Sequence, residues 1–302
     1  MSIKKTCIII TGPTAVGKTA IALQLAKHFS TRIISADSRQ CYKELNIGVA
    51  KPSIQELQSA IHYFINSHSI HETVNAAVFE RYALQKASEI FVDHDIAVMV
   101  GGTGLYVKAF CSGMDPIPVI SPGIRKEIVS KYEAGGLSWL QQELKEEDPV
   151  YFAAGESQNP HRLMRALEVK LSTGKSIVEF QKRTNTERNF SIIKIGLQLP
   201  RPELYERINQ RVDAMIAEGL LEEVKALLPW QQLNALQTVG YKEIFDYYGQ
   251  KTSFENAVES VKLNTRHYAK RQMTWFKKDA GIKWCAPYFD TVLETLQACL
   301  QP

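Results

Sequence analysis

The segment Gly12-Pro13-Thr14-Ala15-Val16-Gly17-Lys18-Thr19 fits the pattern G-x-x-x-x-G-K-[ST], a loop that cradles phosphates. Its glycines allow a tight turn with inward-facing amides, and the helix expected after it adds the positive potential of its N-terminus. Lys18 can reach a distal phosphate, and the Thr19 hydroxyl can hold Mg²⁺. Diphosphate or nucleotide binding is therefore expected of these eight residues. Ser172-Thr173-Gly174-Lys175-Ser176 fails the same pattern, because Val169 stands where its first glycine belongs. It reads as a helix-ending glycine before a surface lysine.

A phosphate loop does not say what becomes of the phosphate. In most NTPases an Asp at the end of a neighbouring strand helps to hold the metal. The apolar run Ile96-Ala97-Val98-Met99-Val100 leads instead into Gly101-Gly102-Thr103-Gly104-Leu105-Tyr106, with no acid. The shorter run Arg32-Ile33-Ile34-Ser35-Ala36 does lead into an acid, in Asp37-Ser38-Arg39-Gln40. Asp37 is thus expected at the carboxyl edge of a sheet beside the phosphate loop, where open α/β sheets bind ligands. An acid there suits a metal ligand, a general base or merely a helix cap. Near the C-terminus, Lys262, Arg266 and Lys270 recur every four residues and Lys277 continues their face. Tyr268, Trp275 and Phe276 are interleaved with them. Cations for phosphates and rings for bases suit a nucleic acid, and a solvated helix face with its aromatics in the core suits the pattern equally.

The elements that must position these groups alternate in type. Residues 4–11 read as a buried strand, 17–29 as a helix, 32–36 as a short strand, 78–92 as a helix and 96–100 as another apolar strand. Continuous apolar strands between helices predict a parallel sheet covered on both faces. Three prolines (Pro116, Pro118, Pro122) then stop regular structure. A helical, charged stretch runs to about 181, and residues 191–199 alternate as a strand does before the chain turns mostly helical again. The expected fold class is α/β: a P-loop NTPase-like parallel sheet core (residues 1–121), a helical insertion (122–188), and a segment completing the core with basic C-terminal helices (189–302).

With 302 residues, 45% hydrophobic and 23% charged, the chain can bury a large core. No apolar run approaches the ~18–20 residues of a membrane span, and the few apolar residues at Cys7 to Ile10 are too short for a signal peptide. Cys7, Cys41, Cys111, Cys285 and Cys299 are scattered, with no C-x-x-C, so a reducing cytoplasm is expected rather than disulfides or zinc. His68 and His71 lie in a polar loop that does not read as a metal site. The net charge of +4 is compatible with an anionic partner.

Taken in order, these segments resemble the tRNA dimethylallyltransferase (tRNA isopentenyltransferase) family in its bacterial form. The resemblance rests on the phosphate loop; on Asp37-Ser38 through Tyr42-Lys43 to Ile47-Gly48-Val49-Ala50-Lys51-Pro52; and on Gly101-Gly-Thr-Gly-Leu-Tyr106. It continues in Arg162-Leu-Met-Arg-Ala-Leu-Glu168, Arg207-Ile-Asn-Gln-Arg-Val212, Val239-Gly-Tyr-Lys242 and Arg271-Gln-Met-Thr-Trp-Phe276. It covers nearly the whole chain, and the second segment and the last are its most specific parts.

The resemblance implies transfer of a dimethylallyl group from its diphosphate to the exocyclic amine of the adenosine 3′-adjacent to a tRNA anticodon. It implies Mg²⁺ as cofactor, with Thr19 as its ligand, and the phosphate loop around a leaving diphosphate. Catalytic roles fall on Asp37 as general base, on Thr103 at the reaction channel, and on Lys18 and Arg211 at the diphosphate; Lys51 matches another position near it. Asp37, Ser38, Arg39 and Gln40 match a stretch that touches tRNA, as do Thr103 and Arg125. So do His161, Leu163 and Met164 with Arg162 and Arg165, and Gln237, Thr238, Val239, Gly240, Tyr241 and Lys242. The insertion matches the part that grips the anticodon stem-loop. A cytoplasmic monomer with no membrane partner is expected. The sequence departs from the family pattern at Gln158-Asn159-Pro160, where many members have Asn-Asp-Pro, and at Asn66, where many have Asp. The zinc finger of many eukaryotic relatives has no counterpart after the basic helix. Without the resemblance, a P-loop kinase with Asp37 as base ranks first and a non-catalytic RNA-binding ATPase comes after it.

Overall fold

The computed structural model describes residues 5–118, 120–155, 157–181 and 186–300; Lys4, expected at the start of the first strand, and Val119 lie outside them. The chain divides into two compact units, one of Met1–Ser112 with Glu187–Pro302 and one of Gly113–Thr186.

The first unit is built on six parallel strands: β1 (Thr6–Thr11), β2 (Ile33–Ser35), β3 (His62–Tyr63), β4 (Ile96–Val100), β5 (Ser191–Leu197) and β6 (Ile282–Cys285). Their order is β3-β2-β4-β1-β5-β6. β1 lies inside, pairing with β4 and β5, and all six of its residues are buried. Its side chains alternate between two cores: Cys7 and Ile9 join one face, Ile8 and Ile10 the other. That two-sided burial is why the strand reads as a continuous apolar run. Ile10 stands level with Val100 of β4 and Ile195 of β5. The loops that follow these strands therefore leave from one edge of the sheet.

The helices of this unit are α1 (Lys18–His28), α2 (Ile54–Ser59), α3 (Ala76–Asp93) and α4 (Gly104–Ser112) before the excursion. Asn75 starts α3 by accepting from the amides of Ala77 and Val78, each at 3.0 Å. The second unit holds α5 (Pro122–Glu147), α6 (Pro149–Ala153), α7 (Pro160–Thr173) and α8 (Ile177–Phe180). Its core includes Ile128, Leu140, Leu144, Leu163 and Leu167. α5 is broken at Gly136, whose φ of 65° departs from the helix, and Gly174, at φ 72°, ends α7. After β5 come α9 (Arg201–Ala217), α10 (Leu220–Ala226), α11 (Tyr241–Tyr248), the long α12 (Phe254–Phe276) and α13 (Phe289–Leu300). β3 and β6 are the strands that sequence reading passed over: two and four residues are too few for a period of two to show. All five cysteines are free. Among the described residues, no helix is long and apolar enough to cross a membrane.

Candidate active site

The phosphate loop joins β1 to α1, and the backbone there requires glycine. Gly12 has φ 137°, and a Cβ on it would lie 2.6 Å from the carbonyl oxygen of Leu197 in β5. Gly17 has φ 102° immediately before α1. The Lys18 ammonium folds over the loop and donates to the Pro13 carbonyl at 2.6 Å. Arg211 of α9 donates to Thr14 Oγ1 at 3.3 Å. The Thr14 amide donates to Gln272 Oε1 of α12 at 2.8 Å, and Gln272 Nε2 donates to the Gly102 carbonyl at 3.0 Å. Gln272 is buried, so one side chain ties the phosphate loop to the turn after β4. Burial, with the Arg211 guanidinium beside it, lowers the Lys18 ammonium to about 7 against the pull of Asp37. Burial also lowers Arg211, with Asp37 acting the other way. Two cations held together in this way suit an anion.

Asp37 follows β2, and the ends of β2 and β4 touch. The Ala36 amide donates to the Val100 carbonyl at 2.7 Å, and the Thr103 amide to the Ala36 carbonyl at 3.2 Å. A Cβ on Gly101 would lie 2.2 Å from that Ala36 oxygen, so this approach needs glycine. Asp37 Oδ1 accepts from the amides of Arg39 at 2.8 Å and Gln40 at 3.2 Å, closing a turn. No helix starts here, so Asp37 closes a turn with one oxygen rather than capping a helix, while Oδ2 takes no hydrogen bond among the described residues. The Ser38 amide donates to Thr103 Oγ1 at 3.0 Å. Tyr268 of α12 stands beside Asp37 and Thr103; burial, together with the Asp37 carboxylate, pushes its phenol well above the ordinary range. Gln40 Nε2 donates to the carbonyls of Val49 and Ala50, at 3.3 and 2.9 Å, holding that segment against the turn.

These groups surround one cavity of about 470 Å³. Thr14, Lys18, Thr19 and Arg211 form a polar end; Val49, Val212, Met215, Val239 and Val261 supply apolar wall; Asp37, Gln40 and Gly102 line it as well. An adjoining groove of about 560 Å³ shares Arg39, Thr238, Val239 and Tyr268 with it and adds Ser38, Gln237, Lys242 and Arg271. The structure therefore brings together Asp37, Ser38, Arg39, Gln40, Thr103 and the 237–242 segment, which are far apart in sequence. Gly240 and Tyr241 of that segment are buried. The Tyr241 hydroxyl donates to Glu223 Oε1 at 2.5 Å, and the other Glu223 oxygen accepts from the Ile47 amide at 2.7 Å. Tyr241 is a wall support, not an exposed contact.

Within the second unit, His161 and Arg162 are exposed at the start of α7, whereas Leu163 is fully buried in that unit's core. The 3.6-residue period turns the Leu163 side chain inward, so in this stretch the exposed side chains are those of His161 and Arg162. Arg125 and Arg165 both meet buried Glu168, at 3.3 and 3.1 Å. Sequence reading had singled out the arginines but not the carboxylate that holds them.

Two further expectations change. Lys51 does not line the cavity of the phosphate loop: its ammonium donates to the Tyr42 carbonyl and to Asn66 Oδ1, each at 2.5 Å. On α12, Lys262 pairs with Asp213 at 2.9 Å, and Arg266 donates to Asn209 at 2.9 Å. Of that face Lys270 does point outward, and with Arg271, Lys278, His267, Thr274 and Trp275 it lines a groove of about 390 Å³. Trp275 is 40% exposed and packs over Gly104, where a Cβ would lie 2.2 Å from its ring. For Mg²⁺ the donors fit: the Thr19 hydroxyl and the Asp37 carboxylate are hard oxygens on the cavity wall. Mg²⁺ bound with phosphate takes few ligands from protein.

A parallel α/β sheet whose inner strand runs into a phosphate loop, with an acid just after β2 and none directly after β4, defines a P-loop protein. The IPP transferase family model matches residues 40–279. The tRNA dimethylallyltransferase of Christiangramia forsetii is 49% identical, over 92% of each chain. That of Cytophaga hutchinsonii is 46% identical over 99% of each. Among solved structures, the tRNA isopentenylpyrophosphate transferase of Bacillus halodurans superposes with a TM-score of 0.71 at 34% identity, covering 98% of this chain and 96% of that one. A eukaryotic dimethylallyltransferase described as acting on tRNA gives 0.75 at 26% identity, covering 97% and 76%. The chain belongs to the IPP transferase family, the tRNA dimethylallyltransferases.

Proposed function

We propose that this chain transfers the dimethylallyl group of dimethylallyl diphosphate to the exocyclic amine of the adenosine 3′-adjacent to the anticodon in tRNA, as a cytoplasmic monomer. The observation that carries the site assignment is that Asp37 and the phosphate loop face one cavity, with apolar wall beside them. The loop amides, Lys18 and Arg211 take the diphosphate and oppose the charge that grows on its bridging oxygen. Mg²⁺ held through the Thr19 hydroxyl supplies further charge neutralisation when bound. The amine nitrogen forms its bond to the allylic carbon as the carbon–oxygen bond breaks, the electron pair leaving with diphosphate. Asp37 Oδ2, which no turn amide occupies, takes the proton. Thr103, fixed to Ser38, lines the adenosine's approach together with Tyr268. The groove carrying Ser38, Arg39, Gln237 and Lys242 receives the RNA beside the flipped base. In the second unit, Arg125, His161, Arg162 and Arg165 bind the anticodon stem-loop.

The test is incubation of the purified protein with unmodified tRNA, Mg²⁺ and radiolabelled dimethylallyl diphosphate, without ATP. Label mapping to the adenosine beside the anticodon is the expected result. Label absent while a control enzyme is active, with phosphorylated product appearing on addition of ATP, would establish the kinase alternative.

A further inference from the structure

The cavity of the phosphate loop adjoins a second cavity of about 500 Å³, whose wall carries Ile47, Pro52 and Leu57 together with the polar Lys51, Asn66 and Glu218. Four residues border both spaces: Ala50, Glu56, Arg211 and Met215. Three of them have little freedom to yield. Ala50 offers only a methyl, Glu56 is held by the Ser53 amide at 2.7 Å, and Arg211 is held at Thr14. Met215 is the one flexible apolar member, and methionine fills irregular gaps of this kind.

Its place on α9 gives the partition a direction. Arg211 engages the phosphate loop, and Met215 lies one turn further along the same face, a rise of about 6 Å. Buried Val212 and Val261 line the same cavity. A diphosphate ester laid along this helix from the phosphate loop would meet Arg211 first and Met215 with its alkyl group. We propose that Met215 closes the alkyl end of the cavity and limits the transferred group to a single five-carbon unit. This rests on the reading of the cavity as an allylic diphosphate site. Truncating Met215 joins the two cavities and opens a path along Ile47, Pro52 and Leu57, the apolar part of the second cavity's wall. Geranyl diphosphate then fits with its reacting end unchanged: the amine bonds to the allylic carbon, diphosphate leaves with the electron pair, and Asp37 takes the proton.

The test uses the full chain, as wild type and as Met215→Ala and Met215→Leu, with unmodified tRNA and an equimolar mixture of dimethylallyl and geranyl diphosphates. The modified nucleosides are separated by mass. Wild type and Met215→Leu, which nearly conserves volume, are expected to transfer the five-carbon group. Met215→Ala is expected to raise the ratio of ten-carbon to five-carbon product by roughly 10–200-fold, the span over which a hydrophobic wall discriminates. An unchanged ratio with five-carbon transfer retained overturns the partition role. Absence of five-carbon product from the wild type would overturn the underlying allylic reading instead. Should the alanine variant fail to fold, Met215→Val carries the same test.

Discussion

At the scale of single residues, the proposed reaction separates binding from proton transfer. Asp37 spends one oxygen on the amides of Arg39 and Gln40, and in the proposed reaction the other takes the proton. Asp37→Ala should lower turnover by roughly 10²–10⁴-fold, the usual contribution of a positioned base. Its tRNA dissociation constant should stay close to that of the wild type; near-normal single-turnover rates would remove Asp37 from the reaction. Diphosphate binding by Lys18 should depend on pH. Burial and Arg211 lower its ammonium to about 7, so above that pH the folded protein holds it largely neutral while an unfolded chain keeps it protonated. The cost to stability is therefore full below about 7 and disappears as pH rises towards the ordinary ~10.5 of lysine. A bound diphosphate opposes the lowering, so binding above pH 7 should take up a proton and affinity should fall as pH rises. Calorimetry at pH 8 in buffers of different ionisation enthalpy should register uptake approaching about one proton per diphosphate. Lys18→Arg, charged throughout this range, should abolish it; equal uptake in both proteins would contradict the assignment.

At the scale of elements, the cavity depends on α12 bridging two sheet-edge loops. Gln272 accepts from the phosphate loop and donates to the Gly102 carbonyl. Gln272→Leu keeps the volume and deletes both bonds, at a cost of about 1–3 kcal/mol for each polar group left unpaired. Urea denaturation should register that loss, and the KM for dimethylallyl diphosphate should rise more than kcat falls. An unchanged KM would mean that the loop keeps its shape without the bridge. Glu223 plays a comparable part between the segments at 47–48 and 240–241, joining Ile47 and Gly48 amides to the Tyr241 hydroxyl.

At the scale of the whole molecule, the charge is modest, a net +4, so placement matters more than sum. The outward cations on and just after α12, including Lys270 and Lys278, form one side of a groove with Trp275, while Lys262 and Arg266 are engaged by α9. Binding of tRNA should weaken with salt, and Lys270→Ala with Lys278→Ala should flatten the log–log slope by about 1–2. Lys262→Ala should barely move it, because that ammonium already faces Asp213 and Glu259. A larger effect from Lys262 than from Lys270 and Lys278 would reverse this distribution.

Much of the core and the phosphate loop were legible because their signals are local. An apolar run reports burial on both faces of its own strand, and a G-x-x-x-x-G-K-T loop states its purpose within eight residues. Asp37 could be placed at the sheet edge for the same reason, as the first acid after an apolar run. Partnerships across the chain were not legible. Gln272 and Thr14 are 258 residues apart, and Arg211 and Thr14 are 197 apart. Nothing in their spacing records that α9 and α12 converge on the same sheet edge. Likewise the four-residue rhythm of Lys262, Arg266 and Lys270 identifies one face of a helix but not what covers it; α9 engages the first two. The partition at Met215 exists only because two separately lined cavities meet there. The sequence by itself determined which short segments can bind phosphate, cross a sheet or cap a turn, since those depend on neighbouring residues. Strand order and helix packing alone decided which distant side chains share a wall, because those contacts form only once the chain is closed on itself.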